Sequence, residues 1–118
     1  MYGLPATFDA SEFTGKELLQ VCFTANTISL SFEDDIAITI MGSFIYHAGA
    51  DTKAEKQMVP VSSSILMCLA GKQVRLAEAE RDGTLTLYFD NNHILTILDD
   101  SKAYESYSIR IGAREIIV

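Results

Sequence analysis

The sequence predicts an α+β domain, mostly β, made of two tandem helix-plus-antiparallel-meander repeats packed as one pseudo-symmetric domain. Three observations predict it. Residues 28–41 align without a gap on residues 85–98, Phe32 falling on Phe89, with apolar, hydroxyl and turn residues in the same slots. Gly15-Lys16 and Gly71-Lys72 stand upstream of the two copies, each after a short segment that can be read as a helix. Apolar residues alternate with hydroxyl residues through both copies, the two-residue period of half-buried strands. Repeat one spans about 9–47, a connector 48–60 and repeat two about 61–118. Neither repeat alone is long enough to bury a sheet face, so the two are expected to share one core.

The first helix is expected over 9–14, ahead of Gly15, and the second over 62–70, ahead of Gly71. Ser62 offers an N-cap, and Pro60 stops a helix from running in from upstream. Ile65, Leu66 and Leu69 then share one helical face, and Gly71 supplies a residue able to take positive φ. A strand follows each Gly-Lys, over 17–24 and 73–81, and Asn26 and Asp82-Gly83 mark turns into the repeated hairpins.

Side-chain parity decides the hairpin register. With Glu33-Asp34-Asp35 as the loop, Phe32 opposes Ile36, Leu30 opposes Ile38 and Ile28 opposes Ile40, so every large aliphatic shares one face. A two-residue loop would place Ile38 and Ile40 on the serine face. The same register in the second copy pairs Leu87 with Leu95, Leu85 with Ile97 and Thr86 with Thr96. Asn92 suits the left-handed third loop position, and Asp35 suits it less well.

Residues 42–47 are expected to continue the first sheet, and residues 48–59, with Asp51, Lys53, Glu55 and Lys56, to be a polar, mobile connector. Asp99-Asp100-Ser101 turns the chain into a strand over 104–111, with Tyr107, Ile109 and Ile111 inward and Glu105 starting on the inward side. Gly112-Ala113 allows a last hairpin in which Arg110 opposes Glu115 and Ile109 opposes Ile116.

The net charge is −7, and it is uneven: residues 1–50 hold Asp9, Glu12, Glu17, Glu33, Asp34 and Asp35 against Lys16 alone. No basic stripe marks a nucleic-acid surface. No apolar run approaches the ~18 residues of a membrane span. The start of the chain lacks an export signature, so the expected compartment is the cytoplasm, with Cys22 and Cys68 as reduced, buried thiols.

Few residues suggest chemistry. His93 falls opposite Phe89, which reads first as a rim histidine half-covered by a ring and second as a general base or metal ligand beside Asp90. His47 ends a strand and is expected to be solvated. No metal-ligand spacing or phosphate loop is present, so no metal, no cofactor and no catalytic residue are assigned. Glu33-Asp34-Asp35 and Asp99-Asp100 read as solvated turns before they read as cation ligands. Tyr88 takes the slot of Ser31, on the face away from the aliphatic stripe, where a tyrosine can anchor a protein contact.

The runs Asp82-Gly-Thr-Leu-Thr-Leu-Tyr-Phe-Asp90 and Tyr104-Glu-Ser-Tyr107, with the Gly-Lys starts, resemble a family of small uncharacterised bacterial proteins. Its members carry a Gly-Lys start, a Gly-Thr-Leu-Thr-Leu-x-Phe strand and a Tyr-Glu-Ser-Tyr/Trp motif; this chain has Tyr107 where many place tryptophan. The resemblance covers nearly the whole chain, and relatives of similar layout are proposed as immunity partners of bacterial toxins. The expectation is therefore a non-catalytic module that binds another protein, a basic one, through Glu33, Asp34, Asp35, Tyr88, Tyr104 and Glu105. A small-ligand binder with its cleft between the meanders, and an enzyme using His93 with Asp90 or Glu105, are the alternatives. A homodimer through a sheet edge is compatible with each.

Overall fold

Buried residues alternate with half-exposed ones through the hairpins on both sides of the repeated acidic and asparagine-rich loops, as a strand with one buried face requires. A computed structural model describes residues 3–48, 55–59, 66–100 and 105–118. Ten strands lie among them: β1 (Leu18–Phe23), β2 (Ile28–Phe32), β3 (Ile36–Ile40), β4 (Ser43–Ala48), β5 (Glu55–Met58), β6 (Val74–Ala79), β7 (Leu85–Phe89), β8 (His93–Ile97), β9 (Tyr107–Ile111) and β10 (Arg114–Ile117). They form two antiparallel five-stranded sheets, β1-β2-β3-β9-β10 and β5-β4-β8-β7-β6.

The α+β expectation of two helix-plus-meander repeats is overturned. The described residues contain no α-helix. At the expected helix positions stand two four-residue 3-10 turns, Ala10–Phe13 and Leu66–Leu69. One turn is too short to offset the cost of helix nucleation. Asp9 caps the first turn by accepting from the Ser11 N–H, and Thr14 has already returned to extended backbone. Residues 62–65 of the expected second helix, with Ser62 and Ile65, lie outside the described residues, as does Pro60.

The second correction concerns the strand after each hairpin. β4 does not continue the first sheet; it pairs with β8, Phe44 opposite Ile97 and Tyr46 opposite Leu95. The place beside β3 is taken by β9, which sets Ile109 against Ile38 and Tyr107 against Ile40, all four fully buried. The Ser106 carbonyl, just before β9, accepts from the N–H groups of both Met41 and Gly42, at 2.9 Å each, and so ties the exit of β3 to the start of β9. Each half thus hands its last hairpin to the other half's sheet. The connector is also more ordered than expected: Glu55–Met58 pairs with β4 as an edge strand, while residues 49–54 lie outside the described residues.

The two halves share their strand pairing. Phe32 opposes Ile36, Leu30 opposes Ile38 and Ile28 opposes Ile40, as parity required; Leu87 opposes Leu95 and Leu85 opposes Ile97 in the other sheet. Asp34, Asp35 and Asn92 take the left-handed loop positions, with φ of 61°, 60° and 67°. The last hairpin sets Arg110 opposite Glu115 and Ile109 opposite Ile116. β1 and β6 even carry the same irregularity, between Leu18 and Gln20 and between Val74 and Leu76.

The Gly-Lys pairs meet where the sheets touch. Glu17 bridges Gln73, Leu18 donates to the Lys72 carbonyl, and Val74 donates to the Lys16 carbonyl. Gly15 and Gly71 have φ of +83° and +87°, and a Cβ on either would meet nothing within 4 Å. They are glycines for backbone conformation, not for space. One hydrophobic cluster draws on both sheets, with Leu30, Ile38, Leu87 and Leu95 all at 0% exposure. Burying each such side chain is worth ~1.5–3 kcal/mol.

Candidate functional site

With the inner faces alike, any difference between the halves lies on the outer faces, which the registers define residue by residue. Across the first sheet run Gln20, Ser31, Ala37, Arg110 and Glu115 in one row, and Cys22, Ser29, Thr39, Ser108 and Ile117 in the next. On this face its middle strands β2 and β3 carry only short side chains, Ser29, Ser31, Ala37 and Thr39, with Ser108 and Arg110 beside them on β9. Across the second sheet run Leu76, Tyr88, Ile94 and His47. Beside them lie Glu78, Thr86, Thr96, Ile45 and Lys56. Ile94 takes the slot of Ala37, as Tyr88 takes that of Ser31. A row of large apolar and aromatic side chains therefore crosses four strands, with Leu76 48% exposed at one end. Met58, on the edge strand β5, is 63% exposed.

Carboxylates border this row. Glu78 beside the Tyr88 hydroxyl, then burial and the charge of Glu80, hold the phenol above its ordinary range. Lys56 pairs with Asp100 at 2.8 Å, which keeps the Asp100 carboxyl below its ordinary range. A tyrosine ring with a carboxylate beside its hydroxyl suits a cationic side chain, which gains both charge pairing and a π face.

The structure separates the residues singled out from the sequence. Glu33, Asp34 and Asp35 sit in the β2–β3 loop of the first sheet, and each has a local role. Glu33 accepts from the Glu17 N–H at 2.8 Å, Asp34 pairs with Lys16 at 2.5 Å, and Arg110 approaches Asp35 at 3.5 Å. Tyr88 lies on the other sheet. Glu105 is exposed rather than inward, because β9 begins only at Tyr107. Tyr104 lies outside the described residues. Leu76, Ile94 and Ile45 were missed, and His47 was read only as a solvated strand end; comparing the outward slots of the two copies, Ile94 against Ala37 above all, was the available signal.

His93 is half-buried at the rim, and its Nδ1 lies 2.5 Å from the Tyr46 hydroxyl, the rings meeting edge-on at 5.5 Å. Its covering ring is therefore Tyr46 across the sheet; Asp90 is exposed. His47 is half-buried in the outer row of the second sheet rather than fully solvated. Cys22 is a free, exposed thiol, not a core residue, because it stands on the outer face of an edge strand. Among the described residues, no three His, Cys, Asp or Glu side chains come together as a metal site. No helix among them is long and apolar enough to cross a membrane.

The sequence motifs converge elsewhere, at one end of the sandwich. The fully buried Tyr107 donates its hydroxyl to the Gly83 carbonyl at 2.6 Å, and burial pushes its phenol far up. Asp99 accepts from the Ser106 hydroxyl at 2.9 Å and from the Gly3 N–H at 2.7 Å. Ser106 donates its N–H to the Val118 carbonyl at 2.7 Å, and Val118 donates to the Tyr107 carbonyl at 2.9 Å. Asp82 accepts from the Thr84 N–H at 2.9 Å, which shapes the turn. Asp82-Gly83, Asp99, Ser106-Tyr107 and Val118 thus form a clasp joining the β6–β7 turn, the start of β9 and the end of the chain.

A family of unknown function matches residues 10–118, so it takes in the clasp residues from Asp82 to Val118 as well as both sheets. The chain belongs to DUF6188. No curated protein and no solved structure matches this DUF6188 chain. Membership carries no activity with it.

Proposed function

We propose that this DUF6188 protein is a non-catalytic binding module whose working surface is the outer face of the second sheet. Its partner is a protein that presents an apolar patch bordered by lysine or arginine. The observation that carries this reading is the row Leu76-Tyr88-Ile94-His47, where the matching row of the first sheet has Gln20, Ser31, Ala37 and Arg110. The two sheets share hairpin registers and buried inner faces, so what distinguishes them is the outer face. Glu78 and Glu80 beside Tyr88, and a net charge of −7, supply the complement to a basic rim. The finer proposal is that the partner is a basic bacterial toxin held inactive in the cytoplasm, an immunity-type role supported by the sequence resemblance and the acidic charge.

Capture from the native host tests the surface. Immobilised wild type, Ile94→Asp and, as a control on the other sheet, Ser29→Asp are exposed to the same lysate over a range of salt. A basic protein retained by wild type and Ser29→Asp, and lost with Ile94→Asp, is the expected result. Retention by all three, or by none, would overturn the proposal.

A further inference from the structure

The two halves repeat each other closely around their Gly-Lys pairs. Lys16 donates its N–H to the Phe13 carbonyl at 3.1 Å, and its carbonyl accepts from the Val74 N–H at 2.9 Å. Lys72 donates to the Leu69 carbonyl at 3.0 Å, and its carbonyl accepts from the Leu18 N–H at 2.8 Å. The hairpin loops match as well: Glu33 donates its N–H to the Glu17 carbonyl at 3.1 Å, and Asp90 donates to the Gln73 carbonyl at 3.0 Å. Glu17 and Gln73 oppose each other without mutual hydrogen bonds, so the N–H and C=O groups of each point outward, toward its own loop.

The side chains then differ. In the first half the loop supplies two carboxylates: Glu33 Oε1 accepts from the Glu17 N–H at 2.8 Å, and Asp34 Oδ2 holds the Lys16 ammonium at 2.5 Å. The bond to Asp34, with the charges of Asp34 and Glu33 behind it, holds that ammonium above its ordinary range, so both carboxylates act on one lysine. In the second half Asp90 stands in the slot of Glu33, a methylene shorter, and Asn91 stands in that of Asp34, without charge. The Asn91 Oδ1 already accepts from the His93 N–H at 3.1 Å. Among the described residues nothing accepts from the Gln73 N–H, and no carboxylate pairs with the half-buried Lys72.

We propose that Lys72 and the Gln73 N–H bind an external carboxylate, the group that the first half provides to the matching donors from within. One carboxylate oxygen accepts from the Gln73 N–H and the other pairs with the Lys72 ammonium, so the two donors match the two oxygens. Asp90, exposed beside them, disfavours a phosphate or any other ligand with two negative charges. The row Leu76-Tyr88-Ile94-His47 takes no part, so failure of the proposed function would leave this site standing. With one charge-assisted bond and one neutral bond at a solvent-open site, the expected dissociation constant is on the order of 10 mM.

Two-dimensional NMR of the isotope-labelled full chain tests it, by titration with sodium acetate at an ionic strength held constant with sodium chloride. The Gln73 amide proton is expected to move downfield and saturate, while the Glu17 amide, already bonded to Glu33, stays in place. Lys72→Met should weaken binding by about tenfold or more, and Lys16→Met, in the other half, should leave it within about twofold. Asp90→Glu/Asn91→Asp gives the second loop the acids of the first. Its Gln73 amide should lie downfield before any acetate is added and should not respond further. N-acetylglycine and the α-amide of N-acetylglutamate separate a chain end from an acidic side chain as the source, the tighter of the two naming it. Each spectrum also reports whether the variant is folded. A Gln73 amide that stays still or drifts without saturating, a Lys72→Met chain that binds as wild type does, or a double variant that still responds would overturn the proposal.

Discussion

Gly83→Ala probes the clasp that joins the Asp82-Gly83 turn to the start of β9. Gly83 has φ +99°, outside the comfortable range of any residue with a Cβ, and forcing alanine there costs about 1–3 kcal/mol. A Cβ at this position would also lie 2.5 Å from both Cβ and Oδ2 of Asp99. Asp99 cannot swing away freely, because it holds the Gly3 N–H and the Ser106 hydroxyl. Weakening those two bonds adds roughly 2 kcal/mol, taken low because Asp99 is only half-buried. The total is about 3–5 kcal/mol, a large part of a small domain's stability. Gly15→Ala is the reference: its φ is +83°, yet nothing lies within 4 Å of the new carbon, so only the backbone cost of about 1–2 kcal/mol remains. Urea unfolding followed by circular dichroism reads both, and Gly83→Ala should lower the midpoint by about 2 M, more than twice the drop for Gly15→Ala. Equal losses for the two variants would refute the crowding argument and the clasp with it.

Other outcomes follow from the same geometry. Leu30→Ala and Leu87→Ala occupy matching buried slots in the two sheets, and each should cost about 2–5 kcal/mol in urea unfolding. Tyr107 sets an alkaline limit. Its folded phenol titrates far above the ordinary tyrosine value of 10.0, so above that pH the unfolded chain loses a proton that the native chain keeps. Stability should therefore fall as the pH rises above about 10, this group contributing up to ~1.4 kcal/mol per pH unit, and Tyr107→Phe should make the fall shallower. Cys22 should react with a thiol reagent in the native protein without denaturant, and Cys22→Ser should abolish that fast phase.

The registers of the three hairpins were legible because parity constrains them: a slip of one residue would move Ile38, Ile40 and Leu95 to solvent. The 3-10 turns were not, because a segment such as 62–70 carries helical spacing and a capping serine whether or not enough length is left to nucleate. The exchange of hairpins was invisible for a related reason. Ser43–Ala48 alternates well enough to pair with β3 or with β8, and only the competition from Tyr107 and Ile109 for the side of β3 decides between them. In the candidate site, Tyr88 was legible as an aromatic on the hydroxyl face. Its neighbours in the row come from three other strands and need the register of the whole sheet before they line up. The acidic loop misled because its charge was counted without Lys16 and Arg110, which the fold brings to it from elsewhere in the chain.

Titration calorimetry of the captured partner against Tyr88→Ala, Ile94→Asp and Ser29→Asp tests the central claim most directly. Hot-spot residues at a buried centre are worth at least about 2 kcal/mol, so each of the first two changes should weaken binding by about 30-fold or more. Ser29→Asp, on the opposite surface, should leave it within about threefold. Loss of affinity with Ser29→Asp and none with the other two would place the contact on the first sheet and contradict the account.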